Sequence, residues 1–146
     1  MARSITSLAW PVALDPAEEG GFVVNFPDFP EGWSQGDTCD QALEQAADLL
    51  ETMVANYMAE GWDLPGPSRP GGRPLVPLAP LVAAKAELYR AMRKAGITKA
   101  ELARRIGISP QQAQRLFEIR HASRLDQIET AMRALGRRLV VTSEAG

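Results

Sequence analysis

Six of the eleven prolines of this 146-residue chain fall between Leu64 and Pro80, in the run LPGPSRPGGRPLVPLAP. Each proline ring fixes φ and removes a backbone donor, so neither a helix nor a central strand can pass through this stretch. The fold must therefore be assembled from what lies on either side: residues 1–63, a stiff extended linker at 64–81, and residues 82–146. Within the linker, Leu75 and Val76 are expected to add an edge strand to the first part.

Charge divides the chain at the same place. Residues 1–80 carry 3 basic and 12 acidic side chains, a net of −9, whereas residues 81–146 carry 13 basic and 6 acidic, a net of +7. The overall charge of −2 hides two oppositely charged modules, and only the second has the sign that a phosphate backbone attracts. No apolar run approaches the roughly 18 residues of a membrane span, and no secretory leader is apparent at the N-terminus, so a cytoplasmic protein without membrane contact is expected. The single cysteine, Cys39, excludes an intrachain disulfide and the multi-cysteine zinc patterns. Neither a metal nor a cofactor is expected.

In the first part, ITSLAWPVAL (Ile5–Leu14) and GFVVNF (Gly21–Phe26) are β-branched and apolar runs flanking DPAEEGG, the pattern of two antiparallel strands and their loop. Pro27 and Pro30 are expected to end the ladder, with a short third strand near Trp33 and Ser34. From Asp37, apolar residues at Leu43, Ala46, Leu50, Val54 and Tyr57 mark one stripe of a long helix that stops at Gly61 and covers one face of the sheet. The second part reads as helices at about Val82–Ala95, Lys99–Ile106, Pro110–Phe117 and Leu125–Leu135, then a short strand, Arg138–Thr142. The fold class expected is α+β: a small antiparallel sheet with one long helix, followed by an all-α domain ending in a strand.

The run TKAELARRIGISPQQAQRL (Thr98–Leu116) has the marks of two short helices crossing at a tight turn. Ala103 is small at the crossing, Gly107 suits a left-handed turn, Ser109 can cap the next helix, and Pro110 sits where a missing amide proton costs nothing. Leu102, Ile106, Ile108, Ala113 and Leu116 are spaced to face a core. Over Lys85–Leu135 the sequence resembles the Cro/repressor (XRE) class of helix-turn-helix proteins. The resemblance implies that Ser109, Gln111, Gln112 and Arg115 meet base edges, while Thr98 and Lys99 hold phosphates. Glutamine can pair with adenine and arginine with guanine in the major groove. Pro110 has no polar side chain to offer at a position where relatives often present one.

The first part, through GGFVVNFPDFPEGWSQGDT, the helix from Gln41-Ala42 and the LPGPS segment, resembles the HicB family of antitoxins. That resemblance implies a truncated ribonuclease H-like fold that binds a HicA-type toxin, a small ribonuclease with a basic RNA-binding surface. Asp28, Phe29, Glu31 and Trp33 are the expected toxin contacts. Together the parts imply an antitoxin of a type II toxin-antitoxin pair that also binds operator DNA as a homodimer or higher homo-oligomer and represses its own operon. Another reading is a stand-alone transcription regulator whose first domain senses a small ligand or oligomerises. A nuclease built on Asp28, Asp37 and Asp40 ranks last, because aspartates in turns and at helix starts serve local hydrogen bonds. His121 and Cys39 have no catalytic partner at a recognisable spacing, and Met53, Met58 and Trp62, on or just beyond the long apolar helix, are expected in the core or at an interface and not at a cofactor site.

Overall fold

The computed structural model of the chain describes residues 8–145, arranged as two compact units, one running to Ala79 and the other from Pro80 onward. In the first unit, β1 (Ala9–Pro11), β2 (Ala13–Pro16), β3 (Phe22–Phe26), β4 (Phe29–Gly36), α1 (Cys39–Glu60) and β5 (Leu75–Pro77) follow in chain order. They form a three-stranded antiparallel sheet in the order β2-β3-β4 and a two-stranded antiparallel pair, β1 with β5. The expected first strand is thus shared between two sheets. The break falls at the fully buried Val12, whose amide donates to Pro74 O. Residues 5–7 of that expected strand lie outside the described residues.

Pro30 does not end the ladder as expected. Pro27 and Asp28 form the whole turn, Phe26 pairs with Phe29, and β4 runs on through Pro30 to Gly36. As β4 lies at the edge of the sheet, it tolerates a proline without an amide proton. A register shift between Asn25 and Phe26 accompanies the turn. It leaves both Phe26 and Phe29 buried.

Local chemistry defines α1. Thr38 Oγ1 accepts from Gln41 N at 3.1 Å, and Gln41 Oε1 accepts from Asp37 N at 3.1 Å, so donors at the helix entrance are satisfied reciprocally. At the other end Gly61 adopts φ 74°, and Trp62 N closes back onto Tyr57 O. The buried stripe is Ala42, Ala46, Leu50, Met53, Val54 and Met58, against Val24, Phe26 and Phe29 of the sheet in one core. The stripe therefore lies one position away from the expected Leu43 and Tyr57, both of which are half-buried.

The proline-rich segment is no free spacer. Leu64 is buried, Pro65 O accepts from Trp10 Nε1 at 3.0 Å, and Ser68 donates through both N and Oγ to Asp28. Leu75 and Val76 pair with Pro11 and Trp10, which completes the expected edge strand. Apart from one turn, where Arg73 N donates to Pro70 O at 3.0 Å, this proline-rich backbone has few donors to bond itself with, and its carbonyls and remaining amides are lent to the adjacent surface.

The second unit consists of α2 (Pro80–Ala95), α3 (Lys99–Ile106), α4 (Pro110–Leu116) and α5 (Leu125–Ala134). Leu88, Tyr89, Leu102, Ala113, Ile128 and Ala131 are almost completely buried in its core. The expected strand Arg138–Thr142 is not formed: residues 137–145 have no strand pairing, and Val140 and Val141 are exposed. A strand exists only by pairing, and the described residues of this unit contain no other strand to receive it.

Candidate functional site: the exposed face of α4

Gly107 turns the chain from α3 into α4 with φ 72°, its amide bonded to Ala103 O, and Ile108 N donates to the same carbonyl at 3.0 Å. Ala103 is buried at this corner, as its size suggests. Ile106 and Ile108 are only half-buried and, with Leu116, line a groove of about 190 Å³ that reaches Arg124, Asp126 and Gln127. Ser109 and Gln112 form a complete capping box: Ser109 Oγ accepts from Gln112 N at 3.1 Å and Gln112 Oε1 accepts from Ser109 N at 2.8 Å.

The four residues expected to read bases thus separate into two kinds. Gln111 and Arg115, one helical turn apart, are exposed, line one open groove beside α4, and have no side-chain partner among the described residues. Ser109 and Gln112 spend part of their hydrogen-bonding capacity on the helix. Gln112 keeps its amide protons and one lone pair of its oxygen, and Ser109 keeps its hydroxyl proton. Gln114 shares the groove with Gln111 and Arg115 and was missed, although spacings of three and four from Gln111 place all three on one helix face.

Thr98 is the N-cap of α3, its Oγ1 accepting from Glu101 N at 3.1 Å, which leaves the hydroxyl proton outward. Lys99 donates to Gln114 Oε1 at 3.0 Å, with its ammonium 5.5 Å from the Phe117 ring centre. Burial lowers its pKa, opposed by the charge of Glu118. Arg104 and Arg105 both pair with Glu101, and Arg124 pairs with Asp126.

In the first unit the four expected partner contacts also fall apart. Phe29 is fully buried, with Trp10 and Tyr57 edge-on at ring-centre distances of 5.4 and 5.0 Å, so it has no surface to offer a partner. It serves the core because the register shift turned it inward. Asp28 holds Ser68, and Glu31 accepts from the Tyr57 hydroxyl at 2.6 Å. Trp33 is 65 % exposed on β4, two residues beyond the exposed Glu31. Trp62 and Leu75 are further exposed apolar side chains of this unit. Trp62, expected in the core or at an interface, is thus on the surface, and Leu75, expected only as part of an edge strand, is exposed beside its buried neighbour Val76. Among the described residues no three His, Cys, Asp or Glu side chains gather as a metal site would require, and no helix is long and apolar enough to cross a membrane.

The Tyr57 hydrogen bond to Glu31, followed by burial and by the negative charge of Glu31, pushes the phenol from 10.0 up to about 12. A raised folded-state pKa means that this pair stabilises the fold below pH 10 and loses its contribution as pH rises through about 12. In a Tyr89→Phe background, ultraviolet titration should show Tyr57 ionising well above the ordinary range, and Glu31→Gln should bring it down toward 10.0. A titration unmoved by Glu31→Gln would mean that the bond is absent in solution.

The family model described as "HicB_like antitoxin of bacterial toxin-antitoxin system" matches residues 9–87. The chain is 37% identical over 140 residues to "Antitoxin HicB 1" of Photorhabdus laumondii, a match covering 96% of this chain and 90% of the relative. It is 41% identical over 133 residues to "Antitoxin HicB" of Escherichia coli K12, covering 90% and 96%, and 34% identical over 142 residues to "Antitoxin HicB" of Pseudomonas fluorescens, covering 95% and 97%. These relatives are named for a role that requires no catalysis.

Proposed function

The chain belongs to the HicB-like antitoxin family, and from that premise we propose that it is the antitoxin of a type II pair, with one partner for each unit. The first unit, a truncated ribonuclease H-like domain on this reading, binds and inhibits a HicA-type ribonuclease. The second is an XRE-type helix-turn-helix that binds operator DNA as a homodimer or higher homo-oligomer and represses the operon. What supports the DNA reading is the placement of Gln111 and Arg115 together on one exposed face of a helix entered through the Gly107 turn. Such a face can enter a major groove, with Arg115 donating both bonds to a guanine and Gln111 pairing with an adenine. Thr98 and Lys99 at the start of α3 then meet phosphates, Lys99 after releasing Gln114.

The charge of −9 on residues 1–80 suits a partner whose surface is built to hold RNA, because carboxylates can lie where phosphates would. Trp33 supplies the aromatic anchor, with Glu31 and Asp28 contributing to the field around it.

The test titrates RNA cleavage by a HicA-type toxin with the full chain, and measures binding of the chain to the promoter of its own gene. Inhibition should be complete at saturation, with an association rate that falls as salt rises. Arg115→Ala should weaken operator binding by about 1 to 3 kcal/mol, relax preference at one base pair per half-site, and leave inhibition intact. Cleavage that continues at saturating, folded antitoxin would reject the toxin assignment. Equal loss on operator and random DNA would reject Arg115 as a base reader.

A further inference from the structure

Lys85 is completely buried in the second unit, and nothing in the reading above uses it. From α2 its ammonium donates to Arg115 O at 3.0 Å, Glu118 O at 2.6 Å, His121 O at 2.6 Å and Ser123 Oγ at 2.9 Å. Ser123, itself buried, donates in turn to Arg115 O at 3.3 Å. A buried ammonium is costly unless its protons are all engaged, and here four oxygens surround three protons.

The surroundings explain why a cation stands there. The helices α1 and α3 each close on a left-handed glycine, Gly61 and Gly107. By contrast, α4 ends at Phe117 with φ −107°, without that device, and the Arg115 carbonyl in its last turn, which already accepts from Glu118 N, also accepts from the buried Lys85 ammonium. A cation at a helix C-terminus satisfies such carbonyls and complements the negative end of the helix dipole. This matters most for α4, because a helix of seven residues cannot persist on its own propensity. The capping box of Ser109 and Gln112 holds one end and Lys85 holds the other.

We propose that Lys85 is a positioning residue for DNA reading: by gripping the carbonyls of Arg115, Glu118 and His121 from inside the domain, its ammonium sets where the Arg115 side chain emerges outside. The proposal rests on the DNA-binding reading of α4. The same residue supplies a carbonyl to Lys85 and a guanidinium to the outer groove, so the two are linked through one backbone unit. Paired hydrogen bonds to base edges weaken when a donor is displaced or misaligned, whereas attraction to phosphates hardly changes over such distances. Releasing the grip therefore affects specific binding and spares non-specific binding. Burial lowers the pKa of this ammonium, while the charge of Glu118 acts to keep it protonated.

The experiment compares binding of the full-length chain and Lys85→Met to operator and to random duplex DNA at one salt concentration. Methionine keeps the length of the stem and removes every donor. The operator-to-random affinity ratio should fall by about tenfold or more, with random DNA bound within about twofold of the unsubstituted chain. In addition, hydrogen exchange at the amides of Phe117 and Glu118 should quicken relative to those of α2. Ser123→Ala, which removes one of the four oxygens and spares the ammonium, should lower the ratio by a smaller factor and serves as the test if Lys85→Met does not fold. In a Cys39→Ser background, Lys85→Cys alkylated with 2-bromoethylamine while unfolded, then refolded, restores the ammonium through a thioether and should restore the ratio. An unchanged ratio in a folded variant, or equal loss on both DNAs, overturns the positioning role. If the unsubstituted chain fails to distinguish operator from random DNA, the DNA-binding reading itself is wrong and the proposal falls with it.

Discussion

Replacing Gly36 with alanine is expected to destabilise the first unit by on the order of 3 kcal/mol or more, a large fraction of what holds a small domain folded. A Cβ at this position would lie 2.3 Å from Ala42 N and 2.7 Å from both Ala42 Cα and Gln41 C. All three are backbone atoms in the first turns of α1, so no side-chain rotation relieves the clash. The strand cannot retreat either. Gly36 is paired with Phe22, and only Asp37 and Thr38 connect it to α1, with both already committed to hydrogen bonds at the helix entrance. All three tryptophans, Trp10, Trp33 and Trp62, lie in this unit, so tryptophan fluorescence follows its unfolding separately from that of the second unit. Chemical denaturation should show a lower midpoint by that probe. A change below about 1 kcal/mol would mean that α1 can slide on the sheet, and that the close approach at Gly36 does not define its position.

The features legible in the sequence are those whose causes lie within a few residues. Gly61, Gly107 and Ser109 announce helix ends because the groups they satisfy are within a few positions, whereas the part of Gln112 in the same cap was not read. The edge strand at Leu75 and Val76 was legible as an apolar pair among prolines. What could not be read were partners distant in the chain: Trp10 with Pro65, Asp28 with Ser68, Tyr57 with Glu31, and Lys85 with the carbonyls after α4. A lysine on a predicted helix reads as a solvated charge, and only the packed domain shows that it is enclosed. The terminal run Arg138–Thr142 illustrates the converse. Its β-branched composition favours a strand, but composition supplies no partner, and within this unit none is provided.

Phe29→Ala and Trp33→Ala should separate packing from recognition, although the two aromatics are four residues apart on the same strand. Phe29 is enclosed between the rings of Trp10 and Tyr57, so truncation removes a full aromatic side chain from a closed core and should cost about 3 to 5 kcal/mol of stability. Trp33 is 65 % exposed, so its removal should leave the unfolding midpoint within about 0.5 kcal/mol. Toxin inhibition should order them the other way. Under conditions where both variants remain folded, Phe29→Ala presents the same surface and should inhibit as the parent does. Trp33→Ala loses its aromatic anchor and should weaken the complex by about 2 kcal/mol, mainly through faster dissociation. Neither substitution removes a carboxylate, so the acidic field and its salt-dependent association rate should be shared by both variants. If folded Phe29→Ala fails to inhibit while Trp33→Ala inhibits normally, the contact surface is not the outward face of β4. The exposed Trp62 and Leu75 then become the positions to substitute.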